Sequence, residues 1–328
     1  MQSLPMREPR FLQLHDLAAV PLAAEAVAGL GAAAAHVSPK FFYDALGSRL
    51  FDAITELDEY YPTRTEAAIL AGHGADIAAA ALAATGPRAT LIDLGAGNCA
   101  KAARLFAPLA PARYVAVDIS VEFLKDALTA LQGQHESIDM VGVGLDFSTR
   151  LALPPGVLEG PALVFYPGSS IGNFNPEDAL RLLRECHALA NRGEGGGGLL
   201  IGVDRVKSDA LLNAAYDDPL GVTAAFNLNL LRHLNRLIGS DFDPRQWRHI
   251  GQFNRAESRI EMHLEARAPL FVRWPGGERR FAAGERIHTE NSYKWDPIDF
   301  EALLCEAGFA HVQRWTDAQG WFSVMLAR

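Results

Sequence analysis

Short apolar runs separated by helical patterns dominate the middle of this 328-residue sequence. The runs are Ala89–Leu94, Arg113–Asp118, Met140–Leu145, Ala162–Tyr166 and Leu199–Val203. Runs of this length and composition are typical of strands that are buried on both faces, as in a parallel sheet covered by helices. The sequence therefore predicts an α/β fold built on a Rossmann-like parallel sheet.

The segments between these runs carry the signals of helices. Ser120 is a residue type that caps helices, and Leu124, Leu128 and Leu131 follow it at helical spacing. Further on, an asparagine stands directly before Pro176, a residue type favoured at the first position of a helix. Strands that alternate with helices in this way fit parallel β-α-β units.

The pattern changes after Asp204. The segment Gly221–Ile238 predicts one long helix, and Ser258–Arg267 alternates apolar and polar residues, as an antiparallel strand with one solvated face does. Near the C-terminus, Phe309–Trp315 and Trp321–Ala327 predict two strands that a short turn joins as an antiparallel hairpin. We therefore expect an inserted α+β module and a C-terminal hairpin that completes the parallel sheet.

The composition narrows the class of partner. The chain has 39 acidic and 30 basic side chains, a net charge of −9, and lacks Lys/Arg-rich runs, which disfavours nucleic acid and anionic membranes as partners. Its three cysteines and ten histidines lack the spacing of metal sites or disulfide frameworks. The apolar stretches are shorter than the roughly 18 residues of a membrane span. We expect a cytoplasmic monomer that acts on a small molecule and holds no metal.

A glycine-rich turn, Asp93–Ala100 (DLGAGNCA), follows the first apolar run and opens a helix. Gly95 and Gly97 let the backbone approach a ligand closely and leave helix N–H groups available to it. Asp118 ends the second run, where an acidic side chain can hold ribose hydroxyls. The turn alone fits S-adenosylmethionine and also the dinucleotide of a nicotinamide-dependent oxidoreductase.

Two acidic positions favour S-adenosylmethionine over a dinucleotide. Asp93, two residues before the first glycine, would repel a pyrophosphate and attract an ammonium group. Asp146 and Phe147 follow the third run, where they offer an acceptor for the adenine amino group and an apolar ring for its face. The sequence therefore favours methyl transfer.

Four separated segments, in the same order, resemble those of a known family, the L-histidine Nα-methyltransferases of the ergothioneine pathway. The segments are 41–64 (FFYDALGSRLFDAITELDEYYPTR), 168–173 (GSSIGN), 215–223 (AYDDPLGVT) and 289–294 (TENSYK). The resemblance implies a class I methyltransferase sheet with an inserted α+β substrate-binding domain. It also implies methylation of the α-amine of L-histidine to Nα,Nα,Nα-trimethylhistidine (hercynine).

The resemblance further implies how the chain divides into domains. Residues 1–64 would form the N-terminal part of the substrate-binding domain and residues 65–206 the methyltransferase core. Residues 207–295 would form the rest of the substrate-binding domain, and residues 296–328 would complete the methyltransferase sheet.

Functional residues of the family carry over to matching positions of this sequence. With Asp93 and Gly97 added from the turn itself, the expected cofactor-binding residues are Asp93, Gly95, Gly97, Lys101, Asp118, Asp146 and Phe147. The expected substrate-binding residues are Tyr60, Gly168, Ser170, Asn173, Tyr216, Glu290 and Ser292. Tyr43, near the reacting amine in the family, is the catalytic candidate. Ser170 stands where the family has threonine, and the turn GAGNCA differs from the more polar turn common in the family.

The spacing of Glu290 and Ser292 supports an imidazole site independently. Positions i and i+2 of an extended segment point to the same side. A carboxylate and a hydroxyl on one side suit a ring with two nitrogens, one a donor and one an acceptor. The pair could also be solvated residues of an exposed strand, and a related enzyme could methylate another amine, such as a tryptophan derivative.

Overall fold

The computed structural model describes residues 7–14, 19–158, 160–192 and 196–328. Its strands are β1 (Arg10–Gln13), β2 (Thr90–Leu94), β3 (Arg113–Asp118), β4 (Asp139–Gly144), β5 (Ala162–Tyr166), β6 (Gly197–Asp204), β7 (Trp247–Asn254), β8 (Arg259–Ala266), β9 (Leu270–Trp274), β10 (Gly277–Phe281), β11 (Arg286–Tyr293), β12 (Val312–Thr316) and β13 (Phe322–Ala327). Its α-helices are α1 (Ala19–Gly31), α2 (Ala45–Thr55), α3 (Tyr61–Gly72), α4 (Gly74–Thr85), α5 (Ala100–Leu109), α6 (Val121–Gln134), α7 (Pro176–Ala190), α8 (Asp209–Tyr216), α9 (Val222–Ile238) and α10 (Pro297–Glu306). Short 3-10 turns cover Pro39–Phe42, Ser170–Asn173 and Pro244–Gln246.

The chain forms two compact units. The first unit comprises Met1–His15, Pro62–Val206 and Trp295–Arg328, and the second comprises Asp16–Tyr61 and Lys207–Lys294. Residues 1–6 and 15–18 of the first predicted domain segment lie outside the described residues.

An eight-stranded sheet forms the centre of the first unit, in the order β1-β4-β3-β2-β5-β6-β13-β12. The pairs from β1 to β6 are parallel, whereas β13 runs antiparallel to both β6 and β12. The predicted fold class, a Rossmann-like class I methyltransferase sheet with a C-terminal antiparallel hairpin, is confirmed.

Both faces of this sheet are buried, as the apolar runs predict. Ile92 and Leu94 of β2 pack in one apolar cluster with residues of α7 and α10. Leu91 of the same strand packs in a second cluster with residues of α3 to α6. The carboxyl ends of β2 to β5 therefore lead into loops held by a rigid core, which suits loops that must place functional side chains.

The sheet has one strand that the sequence did not predict. Residues 10–13 pair in parallel with β4 at the edge of the sheet, although we expected residues 1–64 to belong to the substrate-binding domain. The four-residue segment RFLQ is half-buried at most and lacks a continuous apolar run. A strand this short forms because a neighbouring strand is there to pair with it, so its own sequence carries little signal.

The second unit contains a three-stranded antiparallel sheet, in the order β11-β8-β7, and a two-stranded hairpin of β9 and β10. The long helix α9 packs on β7 and β8, and Phe226, Leu230 and Leu234 are among its buried side chains. The carboxylate of Asp218, which precedes this helix, accepts hydrogen bonds from its first two amides, those of Val222 (3.0 Å) and Thr223 (2.7 Å). The inserted α+β module is therefore confirmed as a structural element of the chain.

The polar face of β8 is more covered than its alternation predicts. Glu265 accepts hydrogen bonds from Arg248 (2.8 Å) and Arg286 (2.9 Å), and Glu261 accepts them from Arg259 (2.8 Å). The long arginine side chains lie over the two carboxylates and bury most of their surface. Charged residues that pair across strands can thus occupy a face that composition alone suggests is solvated.

Among the described residues, no single helix is both long and apolar enough to cross a bilayer. The pair α3 and α4, bent by 76°, meets that requirement only when the two helices are taken together. The same residues contain no cluster of three or more histidine, cysteine, aspartate or glutamate side chains arranged to hold a metal ion.

Candidate functional site

The glycine-rich turn of the first unit is tied to the end of β3. Gly95 and Gly97 have φ angles of 70° and 52°, which glycine adopts without strain. The amide of Gly95 donates to the carbonyl of Val117 (2.9 Å), and the amide of Gly97 donates to Oδ2 of Asp118 (2.9 Å). Oδ1 of Asp118 accepts a hydrogen bond from the amide of Ser120 (2.8 Å). Burial raises the pKa of Asp118, and these amides oppose that rise.

Asp93 lies in β2, which directly precedes the glycines of the turn, and is 1% exposed. Its Oδ2 accepts a hydrogen bond from the hydroxyl of Tyr114 (2.8 Å), while its Oδ1 has no hydrogen-bond partner among the described residues. Burial raises the pKa of Asp93 to about 7. A buried carboxylate oxygen without a donor suits a cationic ligand nearby and opposes a pyrophosphate.

Asp146 and Phe147 follow β4 at the same end of the sheet. Oδ1 of Asp146 accepts hydrogen bonds from the amide (3.0 Å) and the hydroxyl of Ser148, which fix the carboxylate. The ring of Phe147 packs edge-on against Tyr166, with ring centroids 5.8 Å apart. A Cβ atom added to Gly95 would lie 4.0 Å from this ring, so the ring and the turn are neighbours.

Glu66 of α3, which the sequence pattern did not single out, connects two of the predicted site residues. It is 2% exposed. Its Oε2 accepts a hydrogen bond from Nζ of Lys101 (2.9 Å), and its Oε1 accepts one from the amide of Gly168 (2.7 Å). One buried carboxylate thus links the helix that follows the glycine turn to the loop that follows β5.

The loop after β5 is held by its own backbone and by β6. Ser169 has a φ of 58°, and its hydroxyl accepts a hydrogen bond from the amide of Asp204 (2.9 Å). The hydroxyl of Ser170 donates to the carbonyl of Pro167 (3.2 Å). Ser170 begins and Asn173 ends the 3-10 turn of this loop, and both are half-buried.

An aromatic cluster lies within the second unit. The ring of Tyr43 packs edge-on against Phe51 (5.9 Å between centroids) and Phe226 (5.8 Å). The ring of Tyr60 packs edge-on against Phe51 (6.2 Å) and Tyr216 (6.0 Å). The three tyrosines predicted for the site are therefore members of one cluster.

Glu290 and Ser292 lie on β11, and both are buried. The hydroxyl of Ser292 is hydrogen-bonded to the hydroxyl of Tyr216 (2.8 Å). Nζ of Lys294 donates to both hydroxyls, at 2.8 Å to Ser292 and 2.9 Å to Tyr216. Burial raises the pKa of Glu290 to about 7, and the charge of Lys294 opposes that rise. The two residues are thus not solvated positions of an exposed strand.

The backbone of Tyr216 is fixed by β7. Nε2 of His249 lies 2.7 Å from the carbonyl oxygen of Tyr216, so this nitrogen carries the proton. Nδ1 of His249 then accepts from Nδ2 of Asn227 (2.8 Å). A Cβ atom at Gly251 would lie 2.3 Å from the same carbonyl, so only glycine lets β7 approach this closely.

The predicted site residues thus form two groups. The first unit holds Asp93, Gly95, Gly97, Lys101, Asp118, Asp146, Phe147, Gly168, Ser170 and Asn173, and the second unit holds Tyr43, Tyr60, Tyr216, Glu290 and Ser292. Glu66 and Lys294 join these groups without having been predicted. The spacing i, i+2, i+4 from Glu290 to Lys294 along an extended segment was a usable signal for the lysine.

The first group fits S-adenosylmethionine. Its acidic side chains, above all the unpartnered oxygen of Asp93, suit a ligand with an ammonium group and a sulfonium ion. Asp118 can also accept hydrogen bonds from ribose hydroxyls, because an ionised carboxylate has about four acceptor positions and the two amides occupy two.

Comparison with known proteins agrees with this fit. A family described as histidine-specific, SAM-dependent methyltransferases matches residues 22–328. The chain is 42% identical over 318 residues to the histidine N-alpha-methyltransferase of Mycolicibacterium smegmatis, covering 95% of this chain and 96% of that protein. It is 39% identical over 320 residues to the histidine N-alpha-methyltransferase of Mycobacterium tuberculosis, with the same coverage.

A longer relative is the ergothioneine biosynthesis protein 1 of Neurospora crassa. The chain is 32% identical to it over 293 residues, which is 87% of this chain and 32% of that protein. The match of the family over almost the whole chain, together with these identities, confirms the resemblance of the four sequence segments. The chain belongs to the S-adenosylmethionine-dependent, histidine-specific methyltransferases.

Proposed function

We propose that this protein methylates the α-amine of L-histidine, with S-adenosylmethionine as the donor, to give Nα,Nα,Nα-trimethylhistidine. The observation that carries the proposal is the buried set of Glu290, Ser292 and Tyr216 in a member of this family. Buried polar groups need partners, and an imidazole supplies both a donor and an acceptor.

Glu290 and Ser292 are assigned to the imidazole ring. An ionised Glu290 accepts a hydrogen bond from the ring N–H, and a hydroxyl beside it can donate to the other nitrogen. Because burial raises the pKa of Glu290 to about 7, the carboxylate forms most readily when a donor such as a ring N–H faces it. An indole ring has a donor and no acceptor nitrogen, so it satisfies only half of this set.

We assign the aromatic cluster to binding of the α-amine of the substrate. Tyr43 and Tyr60 can each donate one hydrogen bond from a phenol while their rings exclude water. As methyl groups accumulate, the product becomes a permanent cation, and the faces of Tyr43 and Phe51 can stabilise it. A trimethylated nitrogen has no lone pair, so the series ends at three methyl groups.

The amine must be uncharged when it reacts, since only then does nitrogen have a lone pair. An α-amine is less basic than the amine of a lysine side chain and exchanges its proton with water readily, so a strong base is not required. The hydroxyl of Tyr43 can hold the amine in position, and positioning can contribute about 7–11 kcal/mol to the acceleration. The substrate roles of Gly168, Ser170 and Asn173 stay predictions.

The cofactor is assigned to the glycine turn, Lys101, Asp118, Asp146 and Phe147. When bound, S-adenosylmethionine supplies a methyl group activated by its positively charged sulfur. The chain contributes acidic side chains that favour a cationic ligand and an aromatic ring that packs beside the turn. A monomeric state and a cytoplasmic location also stay predictions.

The test is to incubate the protein with S-adenosylmethionine and each of the proteinogenic amino acids, separately, and to measure products by mass spectrometry. We expect histidine alone to gain the mass of three CH2 units, with no gain when the donor is omitted. No transfer to histidine, or equal transfer to histidine and tryptophan, would contradict the proposal.

A further inference from the structure

Lys294 is a buried cation that neither the sequence pattern nor the family comparison assigns to a role. It follows β11 directly and is 2% exposed. Its Nζ lies 2.8 Å from the hydroxyl of Ser292, 2.9 Å from that of Tyr216 and 4.7 Å from the centre of the Tyr216 ring. Burying an ammonium group is costly, so such a group calls for a functional or structural reason.

The donor properties of Lys294 constrain both hydroxyls. An ammonium group only donates hydrogen bonds, so the hydroxyl oxygens of Ser292 and Tyr216 both accept from it. The two hydroxyls together have two protons, and one of these is used in the hydrogen bond between them (2.8 Å). The pair can therefore donate one hydrogen bond to a substrate, and the proton for it points away from Lys294.

The chemistry of the two hydroxyls decides which one donates to the substrate. A phenol, with a pKa of about 10, is a much stronger acid than an aliphatic alcohol. Nζ of Lys294 contacts both oxygens at nearly the same distance, 2.8 Å for Ser292 and 2.9 Å for Tyr216, so the ammonium charge leaves this difference in place. Tyr216 is thus the donor within the pair, and the proton of Ser292 is directed outward.

We propose that Lys294 is a positioning residue that fixes Ser292 as a hydrogen-bond donor and so selects substrates with an unprotonated ring nitrogen. The proposal rests on the function proposed above. With Ser292 held as donor and Glu290 as acceptor, a neutral imidazole binds with its N–H toward Glu290 and its free nitrogen toward Ser292. A phenyl ring or an indole leaves the Ser292 donor without a partner, and a site built this way rejects such rings strongly.

The test is a double-mutant cycle of Lys294→Met and Ser292→Ala, with kcat and KM for histidine measured for each protein. Methionine keeps much of the length of lysine and removes all its donors. We expect each single variant to raise KM for histidine about tenfold or more, with a smaller change in kcat. The double variant should have a KM no more than about threefold above that of Ser292→Ala, because Lys294 acts through the Ser292 hydroxyl, which Ser292→Ala already lacks. The threefold margin allows for the charge of Lys294 beside Glu290.

Controls separate this proposal from a folding defect and from the proposed function. Lys125→Met removes an exposed lysine of α6 and should leave KM unchanged. All variants should bind S-adenosylhomocysteine as the wild type does, and Lys294→Gln, which keeps an N–H donor, should recover part of the loss. An unchanged KM in Lys294→Met, a KM in Lys294→Gln as high as that in Lys294→Met, or losses that multiply in the double variant, would overturn the proposal. Failure of the wild type to methylate histidine would instead contradict the function itself.

Discussion

Two buried carboxylates, Asp93 in the first unit and Glu290 in the second, have unusual protonation properties. Burial raises the pKa of Asp93 and that of Glu290 to about 7. Carboxylates with such pKa values are costly to keep ionised and are concentrated in functional sites. A cationic cofactor would favour the ionised form of Asp93, and a ring N–H would favour that of Glu290.

Glu290 should make the stability of the ligand-free protein depend on pH. Because its pKa is higher in the folded protein than the ordinary value of 4.5, the folded protein keeps this proton where the unfolded chain has lost it. The free energy of unfolding therefore falls as the pH rises from about 4.5 to about 7, because of Glu290. Above pH 7 the effect of Glu290 is constant. Glu290→Gln should remove this dependence and stabilise the protein at pH 8 by up to about 3 kcal/mol.

The measurement is the thermal unfolding midpoint of the wild type and of the variant between pH 5 and pH 8. At pH 8 we expect the midpoint of the variant to lie on the order of a few degrees above that of the wild type. Glu122→Gln is the matched control, because Glu122 of α6 is 87% exposed and its charge stays hydrated. If Glu290→Gln shifted the midpoint equally at every pH, burial of an ionised Glu290 would not be the cause.

At the scale of elements, α3, α5 and the loop after β5 meet at Glu66. Its two carboxylate oxygens bind Lys101 and the amide of Gly168, which lie 35 and 102 residues away along the chain. Gln at position 66 would still accept from Gly168 but would present no charge to Lys101. Lys101 would then lose the charged partner that holds its side chain beside the glycine-rich turn.

We therefore expect Glu66→Gln to weaken binding of S-adenosylhomocysteine about tenfold, which corresponds to about 1.4 kcal/mol. Since Glu66 acts through Lys101, the double variant with Lys101→Met should bind no more weakly than Lys101→Met alone. Calorimetric titration measures both. Glu306→Gln, at an exposed glutamate of α10, serves as the control, and additive losses would show that Glu66 acts independently of Lys101.

At the scale of the whole molecule, the sequence predicts the parallel sheet well and the polar contacts of the site poorly. The strands Arg113–Asp118 and Ala162–Tyr166 have the predicted bounds, because continuous apolar runs that are buried on both faces give a strong signal. Residues 10–13 give none, since that strand depends on pairing with β4.

The site shows the same contrast. Spacing along one strand places Glu290 and Ser292 on the same side, but the partner hydroxyl of Tyr216 comes from α8, 76 residues away. Long-range polar contacts of this kind depend on tertiary packing, so local patterns do not reveal them. Family resemblance supplied Tyr216, and the spacing from Glu290 offered a signal for Lys294, whereas Glu66 required the structure.

The most direct test of the account is calorimetric titration of wild type and Glu290→Ala, first with S-adenosylhomocysteine and then with histidine on the loaded protein. We propose that the cofactor binds in the first unit and that the imidazole binds Glu290 in the second. We therefore expect the variant to bind S-adenosylhomocysteine within about twofold of the wild type and to bind histidine about tenfold to a hundredfold more weakly. Equal losses for both ligands, or unchanged histidine binding, would contradict recognition of the imidazole by Glu290.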